Sequence, residues 1–308
     1  MTPTLTVGIT TKNRPASLNA GLASIGLLSH LHPDVFVYDD ASSPAAESQL
    51  SAEARAIVTR VLRDDEGRGY IVGRNALMRE ARTPYVLLMD DDARLIAADA
   101  IERAIGVLDG DPAVAAVAFA QTELDGRPWP TSMQPSPATR PVLVRTFIGF
   151  AHLIRRDAFL AAGGYREAFE FYGEEKELCL RLFDAGLRVV YLPDALVVHS
   201  PDPAGRDRVR YLRRVSRNDC LTTLYNDPIT RVVWMLPARY ALYFRMRRGW
   251  GIPDPWGGLW LARDLVRRLP SILRDRRPVS RRTIAGWTAL KHETPYTMPV
   301  SGPASLNE

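Results

Sequence analysis

Three consecutive carboxylates, Asp90, Asp91 and Asp92, follow the apolar run Tyr85–Met89 in the segment YVLLMDDDA. A run of this kind reads as a buried strand that delivers all three acids into the loop at its end. Carboxylates so close repel one another, and a bound divalent cation is the simplest way to keep them ionised; a solvated acidic turn is the alternative. Oxygen ligation favours magnesium or manganese over zinc. A second acidic group lies in GGYREAFEFYGEEKELCLRLFDAG. A helix starting near Glu174 puts Glu175, Leu178, Cys179 and Leu182 on one side, with Glu175 at the N-terminal edge of the buried face. A carboxylate there can act as a general base, unless Glu174, Glu175 and Glu177 only complement the helix dipole. His199 follows the strand-like ALVV. A neutral imidazole beyond a strand end can join the aspartates on a metal, although a lone loop histidine also occurs simply exposed. Arg74-Asn75 reads as opening a helix after Gly73, where a guanidinium can meet a phosphate or merely be solvated. Gly67, Gly69 and Gly73 are spaced GxGxxxG and no GKS or GKT is present, which excludes both the dinucleotide fingerprint and the P-loop.

These residues need a scaffold, and the first 200 residues alternate short β-branched runs with helical periodicity. Strands are predicted at Leu5–Ile9, Val35–Tyr38, Val61–Leu62, Tyr85–Met89 and Val114–Phe119. Helices are predicted over Pro15–Leu28, with Pro15 in the first turn behind the capping side chain of Asn13, and over Ala45–Thr59, Asn75–Ala81 and Ala100–Leu108. This rhythm predicts an α/β fold with a mostly parallel sheet covered by helices on both faces. Ligands bind such sheets at the carboxyl ends of the strands, where Thr10-Thr11-Lys12-Asn13, Asp39-Asp40 and Asp90-Asp91-Asp92 fall. Beyond the Pro-rich loop Arg127–Pro141 come an apolar stretch, Val142–Ile154, a helix near Arg156–Ala162 and the turn Gly163-Gly164. A helix near Glu175–Ala185 and two strands, Arg188–Leu192 and Ala195–Val198, complete the pattern.

The chain has 308 residues, 46% of them hydrophobic and 24% charged, so it can bury a sizeable core and is not a disordered tail. Its two cysteines, Cys179 and Cys220, offer no zinc-finger spacing, and the N-terminus lacks a basic stretch followed by an apolar one. No run reaches the ~18 apolar residues of a membrane span, and a reducing, cytoplasmic setting is expected. The net charge of +5 conceals a division at Ser200: residues 1–200 carry −6 and residues 201–308 carry +11. Five of the six tryptophans also lie in the later part. Two different jobs are implied.

Taken in order, six segments resemble the family 2 glycosyltransferases of the GT-A fold, a group that includes bacterial rhamnosyl- and galactofuranosyltransferases. They are VGITTKNRP, VYDDASS, GRNALMREARTPYVLLMDDDA, RRDAFLAAGGYREAF, GEEKELCLRL and AGLRVVYLPDALVVH, and they run from Leu5 to about Tyr225. The resemblance implies a GT-A transferase domain over residues 1–227 and a basic, Trp-rich helical extension over 228–308. It implies an inverting transfer from a nucleoside-diphosphate sugar, UDP- or dTDP-linked, to a hydroxyl of a saccharide or lipid-linked acceptor. Asp40 would contact the base, with Asp39 beside it and Thr10 and Lys12 lining the pocket. Asp90 and Asp92, with Asp91 between, match the DxD motif that holds Mn2+ or Mg2+ on the donor diphosphate, and His199 matches a histidine that completes the metal site in several members. Arg74 matches an arginine near the donor phosphates. Glu175 stands at the catalytic base position, where Asp is usual in the family, and Glu174 is the reserve candidate. A nucleotidyltransferase, or a glycan- or nucleotide-binding protein on the same scaffold, is the alternative.

The resemblance fades past Asp227. In WLARDLVRRLPSILRDRR, Leu261, Leu265 and Leu269 form one stripe flanked by Arg263, Arg267 and Arg268, and Pro270 is expected to kink or end the helix. Basic amphipathic helices with tryptophans lie on anionic membrane surfaces, which would make the protein peripheral on the inner face of the membrane and its acceptor lipid-linked. A rim around the active site or against a second subunit is the alternative. No nucleic-acid-binding signature is present.

Overall fold

The computed structural model describes residues 4–201, 207–290 and 294–298. In chain order its elements are β1 (Leu5–Thr11), α1 (Pro15–Ile25), β2 (Asp34–Asp40), α2 (Ala52–Ile57), β3 (Arg60–Asp64), α3 (Tyr70–Glu80) and β4 (Tyr85–Asp90). Then come β5 (Ala93–Leu95), α4 (Asp99–Gly110), β6 (Val114–Thr122), β7 (Val142–Val144), β8 (Ala151–Arg155), α5 (Arg156–Ala161) and α6 (Glu174–Asp184). The chain continues through β9 (Arg188–His199), α7 (Arg208–Asn226), α8 (Ile229–Gly249), α9 (Gly257–Asp275), α10 (Arg281–Ala289) and β10 (Thr294–Pro295).

The sheet has the order β10-β7-β9-β6-β8-β4-β1-β2-β3, with β5 paired on β9. β1, β2, β3 and β4 are mutually parallel neighbours; β8 is inserted antiparallel between β4 and β6, and β6 and β9 are again parallel. Every residue of β1 is buried, as a strand covered on both faces must be. One face packs on α1 and α4 through Leu18, Leu22, Ile101 and Val107. The other packs on α3, α5 and α6 through Leu77, Phe159, Leu178 and Leu182. Each such leucine contributes roughly 1.5–3 kcal/mol by burial.

The order of β3, β2, β1 and β4 makes a switch point between β1 and β4, where the chain leaves the sheet in opposite directions and opens a crevice. In register, Thr10 lies opposite Asp90 on one side and Tyr38 on the other, and Thr11 lies opposite Asp39. The acid-rich strand ends are therefore neighbours.

Several expectations are corrected. Asn13 does not cap α1; it takes a left-handed φ of 54° and its Oδ1 accepts from the Ser43 N–H at 2.7 Å, while Arg14 holds the cap position without a side-chain bond. The predicted helix over Ala45–Thr59 is broken. Asn19 of α1 donates to Gln49 O and accepts from Ser51 N, and Ser51 then caps a new helix, α2. Arg74 does not open a helix, because α3 begins at Tyr70 behind Gly69, whose φ is 96°. The two strands expected near residues 188 and 195 are one strand, β9, whose register against β6 shifts between Phe119 and Ala120. Pro270 neither ends nor breaks α9: it lies on the exposed side, where water can take the bond it removes. The buried stripe of α9 is Leu261, Asp264 and Ile272 with Leu265 and Arg268 partly covered, whereas Leu269 is exposed.

Candidate active site

β4 ends at Asp90, and β5 returns antiparallel to β9 with Ala93 opposite His199. The Ser200 N–H donates to Asp92 O at 3.0 Å, which locks this pairing. One ligand atom each of Asp90, Asp92 and His199 consequently lies within 4.8 Å of the others. Asp92 Oδ1 is buried without a hydrogen-bond partner and sits 3.7 Å from His199 Nε2. Two carboxylates and an imidazole around an orphaned buried oxygen fit a divalent cation.

The orientation of His199 comes from a residue that the sequence did not single out. Gln121, near the end of β6, gives its Nε2 to Met133 O, so its Oε1 is the atom 2.6 Å from His199 Nδ1. Nδ1 is then the protonated nitrogen, and Nε2 presents its lone pair toward Asp92. Trp129 and Phe150 stack on the imidazole at 5.3 and 4.8 Å between centroids. Only the fold brings these residues to a histidine so far along the chain.

Asp91 points elsewhere. Thr11 Oγ1 donates to its Oδ2 at 2.8 Å, and Arg14 Nη1 bridges Asp91 Oδ1 and Asp92 Oδ2 at 3.0 Å each. Burial pushes the Asp91 carboxyl up to about 6, against the pull of Thr11 and Arg14. The middle aspartate thus ties the acidic loop to the end of β1. Arg14 is a second residue missed in the sequence, where it read as part of a helix start.

Arg74 lies in the second turn of α3 and is fully buried. Its Nη2 donates to Asp90 Oδ1 at 2.6 Å and to Gly149 O at 2.7 Å, and its Nη1 faces Glu174 Oε1 at 3.3 Å. The Tyr70 ring stacks 4.6 Å away. Burial opposes the charge, but the neighbouring Asp90 carboxylate foremost outweighs it and holds the guanidinium protonated. Arg74 is the bridge between β4 and α6.

α6 opens after Gly173, whose φ is 84°. Glu174 is fully buried, and Glu175 is half-buried. Burial, then the neighbouring Glu175, pushes the Glu174 carboxyl up to about 8, and burial also raises Glu175. Gly149 abuts this pair so closely that a Cβ built on it would lie 2.3 Å from Glu175 Oε1. Glu177 is different in kind. It is buried in ion pairs with Arg166 and Arg181 and accepts from Asn226, so it anchors α6 to α7. The Gly163-Gly164 turn, both residues at positive φ, is fixed by Asn75, which exchanges two bonds with the Tyr165 backbone.

Asp40 and Lys12 form an ion pair at 3.2 Å, and the other Asp40 oxygen accepts from Gly69 N at 2.8 Å at the start of α3. Thr10 is buried at the end of β1 beside them. Asp39 faces away: its oxygens accept from the Ser42 and Ala46 N–H groups and from Arg63. Burial alone would raise it, but these bonds hold its carboxyl below the usual range. Asp90, Asp92, His199, Arg74, Glu174 and Glu175 therefore form one locus. Asp40, Lys12 and Thr10 border it across β1, while Asp39 and Asp91 serve the loops.

A parallel switch-point sheet with two carboxylates and a histidine at the strand ends, walled by an acidic helix start, is the architecture of the GT-A glycosyltransferases. The mannosyltransferase PcManGT from Pyrobaculum calidifontis, solved in complex with GDP-Man and Mn2+, superposes with a TM-score of 0.59 at 18% identity, over 93% of this chain and 79% of that one. S. aureus TarS 1-349 does so with a TM-score of 0.60 at 15% identity, over 91% and 82%. The chain belongs to glycosyl transferase family 2, whose family model matches residues 6–164. Two curated relatives from Mycobacterium tuberculosis, strains CDC 1551 / Oshkosh and H37Rv, are both N-acetylglucosaminyl-diphospho-decaprenol L-rhamnosyltransferase and are 37% identical over 119 residues. The match spans 37% of this chain and 37% of the length of those relatives.

Proposed function

We propose that the protein is a metal-dependent, inverting glycosyltransferase that moves a sugar from a nucleoside-diphosphate sugar to a hydroxyl of a lipid-linked saccharide. Residues 1–227 act as the transferase domain, and residues 228–308 as an extension that meets the acceptor side. The observation that carries this reading is the convergence of Asp90, Asp92 and His199 around an unpartnered buried oxygen, next to Glu174 and Glu175. Asp90, Asp92 and His199 would hold Mn2+ or Mg2+, which when bound compensates the charge of the donor diphosphate. Glu175 is the better base of the pair. It is partly open to a substrate, while Glu174 is wholly enclosed and burial pushes its carboxyl toward the neutral form. Glu175 takes the proton of the acceptor hydroxyl as its oxygen attacks the anomeric carbon, and the bond to the departing nucleoside diphosphate breaks on the opposite side. Arg74 orients Asp90 and Glu174, and its charge favours the diphosphate. Asp40, Lys12 and Thr10 form the base pocket, for uracil or thymine.

The donor class of this chain is open to direct test. Thermal shift with UDP-, dTDP- and GDP-sugars, each with manganese, magnesium or EDTA, is expected to show stabilisation by a UDP- or dTDP-sugar that EDTA removes. A ligand at 100 times its dissociation constant adds ~2.7 kcal/mol, which such a melt detects. Absence of any donor shift in the presence of metal would overturn the reading.

No helix among the described residues is long and apolar enough to cross a membrane. Contact with a membrane surface is supported by α9, which has three sectors. Leu261, Asp264 and Ile272 face the protein, Leu259, Val266 and Leu273 are exposed in an apolar row, and Arg263, Arg267 and Arg274 are exposed beside that row. This is the pattern of a helix lying at an anionic lipid interface, on the cytoplasmic side.

A further inference from the structure

The residues that lead into α6, Phe169 to Gly173, follow an unusual backbone path. Glu170 and Tyr172 both take left-handed angles, with φ of 59° and 67°, and Gly173 follows at 84°. A residue other than glycine keeps such a backbone only where its surroundings hold it there. The holding groups come from α7. Asn218 is buried, and its Nδ2 donates to Phe171 O at 2.7 Å, Tyr172 O at 2.5 Å and Phe169 O at 3.0 Å. Arg217, equally buried, donates through Nε to Asn218 Oδ1 at 3.0 Å, which fixes the amide with its nitrogen toward those carbonyls, and through Nη2 to Phe169 O. A Cβ built on Gly173 would lie 3.6 Å from Asn218 Cβ, so the same side chain backs the residue from which α6 starts. Arg268 of α9 adds a brace, donating to Ala168 O at 3.2 Å and pairing with Glu170. Both α7 and α9 lie beyond residues 6–164, which carry the family signature.

The same segment reaches the site through Tyr70. The Tyr172 N–H donates to Tyr70 Oη at 3.0 Å, and the Phe171 ring packs edge-on against the Tyr70 ring. The Tyr70 hydroxyl bonds to Glu174, and its ring stacks on Arg74. A continuous line of contacts therefore runs from Asn218 through Tyr172 and Tyr70 to Glu174, one residue before Glu175.

We propose that Asn218 is a positioning residue for the base: it clamps Phe169–Tyr172 in the left-handed path that starts α6 with Glu175 at Gly149, which also abuts Arg74. The inference rests on the glycosyl-transfer reading for what Glu175 does, and it adds α7 and α9 to the elements that aim that side chain. A base must lie within hydrogen-bond reach of its proton, and misplacement by about 1 Å costs ~100-fold in rate. Loss of the clamp should therefore act on turnover more than on donor binding, because Asp40 and Asp90 are carried by the ends of β2 and β4 and not by this segment.

The test uses the full chain and two readouts. Hydrogen exchange needs no substrate: in Asn218→Ala the amides of residues 171–177 should exchange about tenfold faster or more, with those of β1 and β4 unchanged. Manganese-dependent hydrolysis of UDP- and dTDP-sugars reads the chemistry, and kcat should fall about tenfold or more while the donor KM stays within about twofold. Asn218→Gln, which keeps the amide on a longer arm, should recover part of both. Leu108→Ala opens a cavity under α4 on the opposite face of the sheet; it lowers stability without touching the segment and should leave kcat unchanged. If Asn218→Ala does not fold, Arg268→Lys, which keeps the charge and loses the fork, should show the same pattern in smaller measure. Unchanged exchange at residues 171–177, wild-type kcat in a folded Asn218→Ala (or in Arg268→Lys if it stands in), or an equal loss of kcat in Leu108→Ala would overturn the proposal. A wild type that hydrolyses no donor would sink the base assignment of Glu175, and the exchange readout would then decide alone whether Asn218 holds the segment.

Discussion

At the scale of single residues, the acids of the site divide by environment rather than by type. Glu174 and Glu175 are adjacent in sequence, yet one is enclosed and the other partly open. Glu175→Gln is expected to lower turnover by ~10²–10⁴ while leaving donor binding intact. An active Glu175→Gln enzyme would reassign the base. Glu174→Gln, which mimics the neutral acid, should retain most activity and change the pH dependence of stability. Because the folded-state value of Glu174 is raised to about 8, the folded protein keeps a proton that the unfolded chain has already lost over the window from the ordinary carboxylate range up to that value. Its effect is to reduce stability as pH rises through that window. Melting curves of wild type and Glu174→Gln from about pH 5 to about pH 8 should therefore diverge in favour of the variant as pH rises. Parallel curves would show that Glu174 is not a buried acid of this kind. Gln121 makes a second residue-level prediction. Gln121→Leu removes the bond that sets the His199 tautomer and should weaken manganese affinity ~10–100-fold without unfolding the protein. Manganese titration by calorimetry checks it, and unchanged affinity would remove Gln121 from the site.

At the scale of elements, the site is assembled by a few close approaches that set where helices sit on the sheet. Gly73 is one. A Cβ there would meet the Tyr38 ring at 2.4 Å, so glycine lets α3 lie close on β2 and carries Arg74 to Asp90. Its place in the GxGxxxG spacing has this packing reason and no phosphate is needed to explain it. Gly73→Ala should destabilise the fold by ~1–3 kcal/mol and displace Arg74, lowering turnover as well. Chemical denaturation and donor turnover read the two effects, and Tyr38→Val in the same chain should recover part of both. A Gly73→Ala protein as stable and active as wild type would show that α3 can shift without consequence. The elements that periodicity identified were β1, β2 and β4, which carry continuous apolar runs, and α4 and α6, whose apolar residues recur at helical spacing. Those it misdrew, the helix over 45–59 and the start of α3, were decided by side chains reaching from other elements: Asn19 onto Gln49 and Ser51, and Asp40 onto Gly69.

At the scale of the whole molecule, the basic later part of the chain is built into the acidic earlier part. Ile272 of α9 lies in the same buried cluster as Leu178 and Tyr225, and β10 pairs with β7 at the edge of the sheet. Arg214, Arg217 and Arg268 converge on Glu170, so much of the positive charge counted in the sequence is spent inside. Arg217 is buried, and that burial with the adjacent arginines Arg268 and Arg214 pulls its guanidinium down to about 9. The cations left exposed on α9 lie beside the apolar row, and the proposed contact with an anionic surface rests on that arrangement. The protein should float with vesicles containing anionic lipid and not with neutral phosphatidylcholine, and the association should be lost at ~1 M salt, where charges are screened within ~3 Å. Replacing Leu259, Val266 and Leu273 with serine should abolish flotation at low salt. Equal flotation with neutral and anionic vesicles, or none with either, would rule this contact out.

Family, sheet and the identity of the acidic positions were legible in the linear chain because they depend on local order: apolar runs of strand length, acids placed directly after them, and six motifs in a fixed succession. Burial makes a strand readable, and the end of a strand is where a parallel sheet exposes side chains to a ligand. The tertiary structure decided which of those acids share a locus. Asp39 and Asp91 are as acidic in sequence as Asp40 and Asp92, and only the donors around them turn them into loop anchors. It also decided the environment of Glu174 and the tautomer of His199. Each of these rests on contacts between residues dozens to more than a hundred positions apart, and no window of sequence contains them.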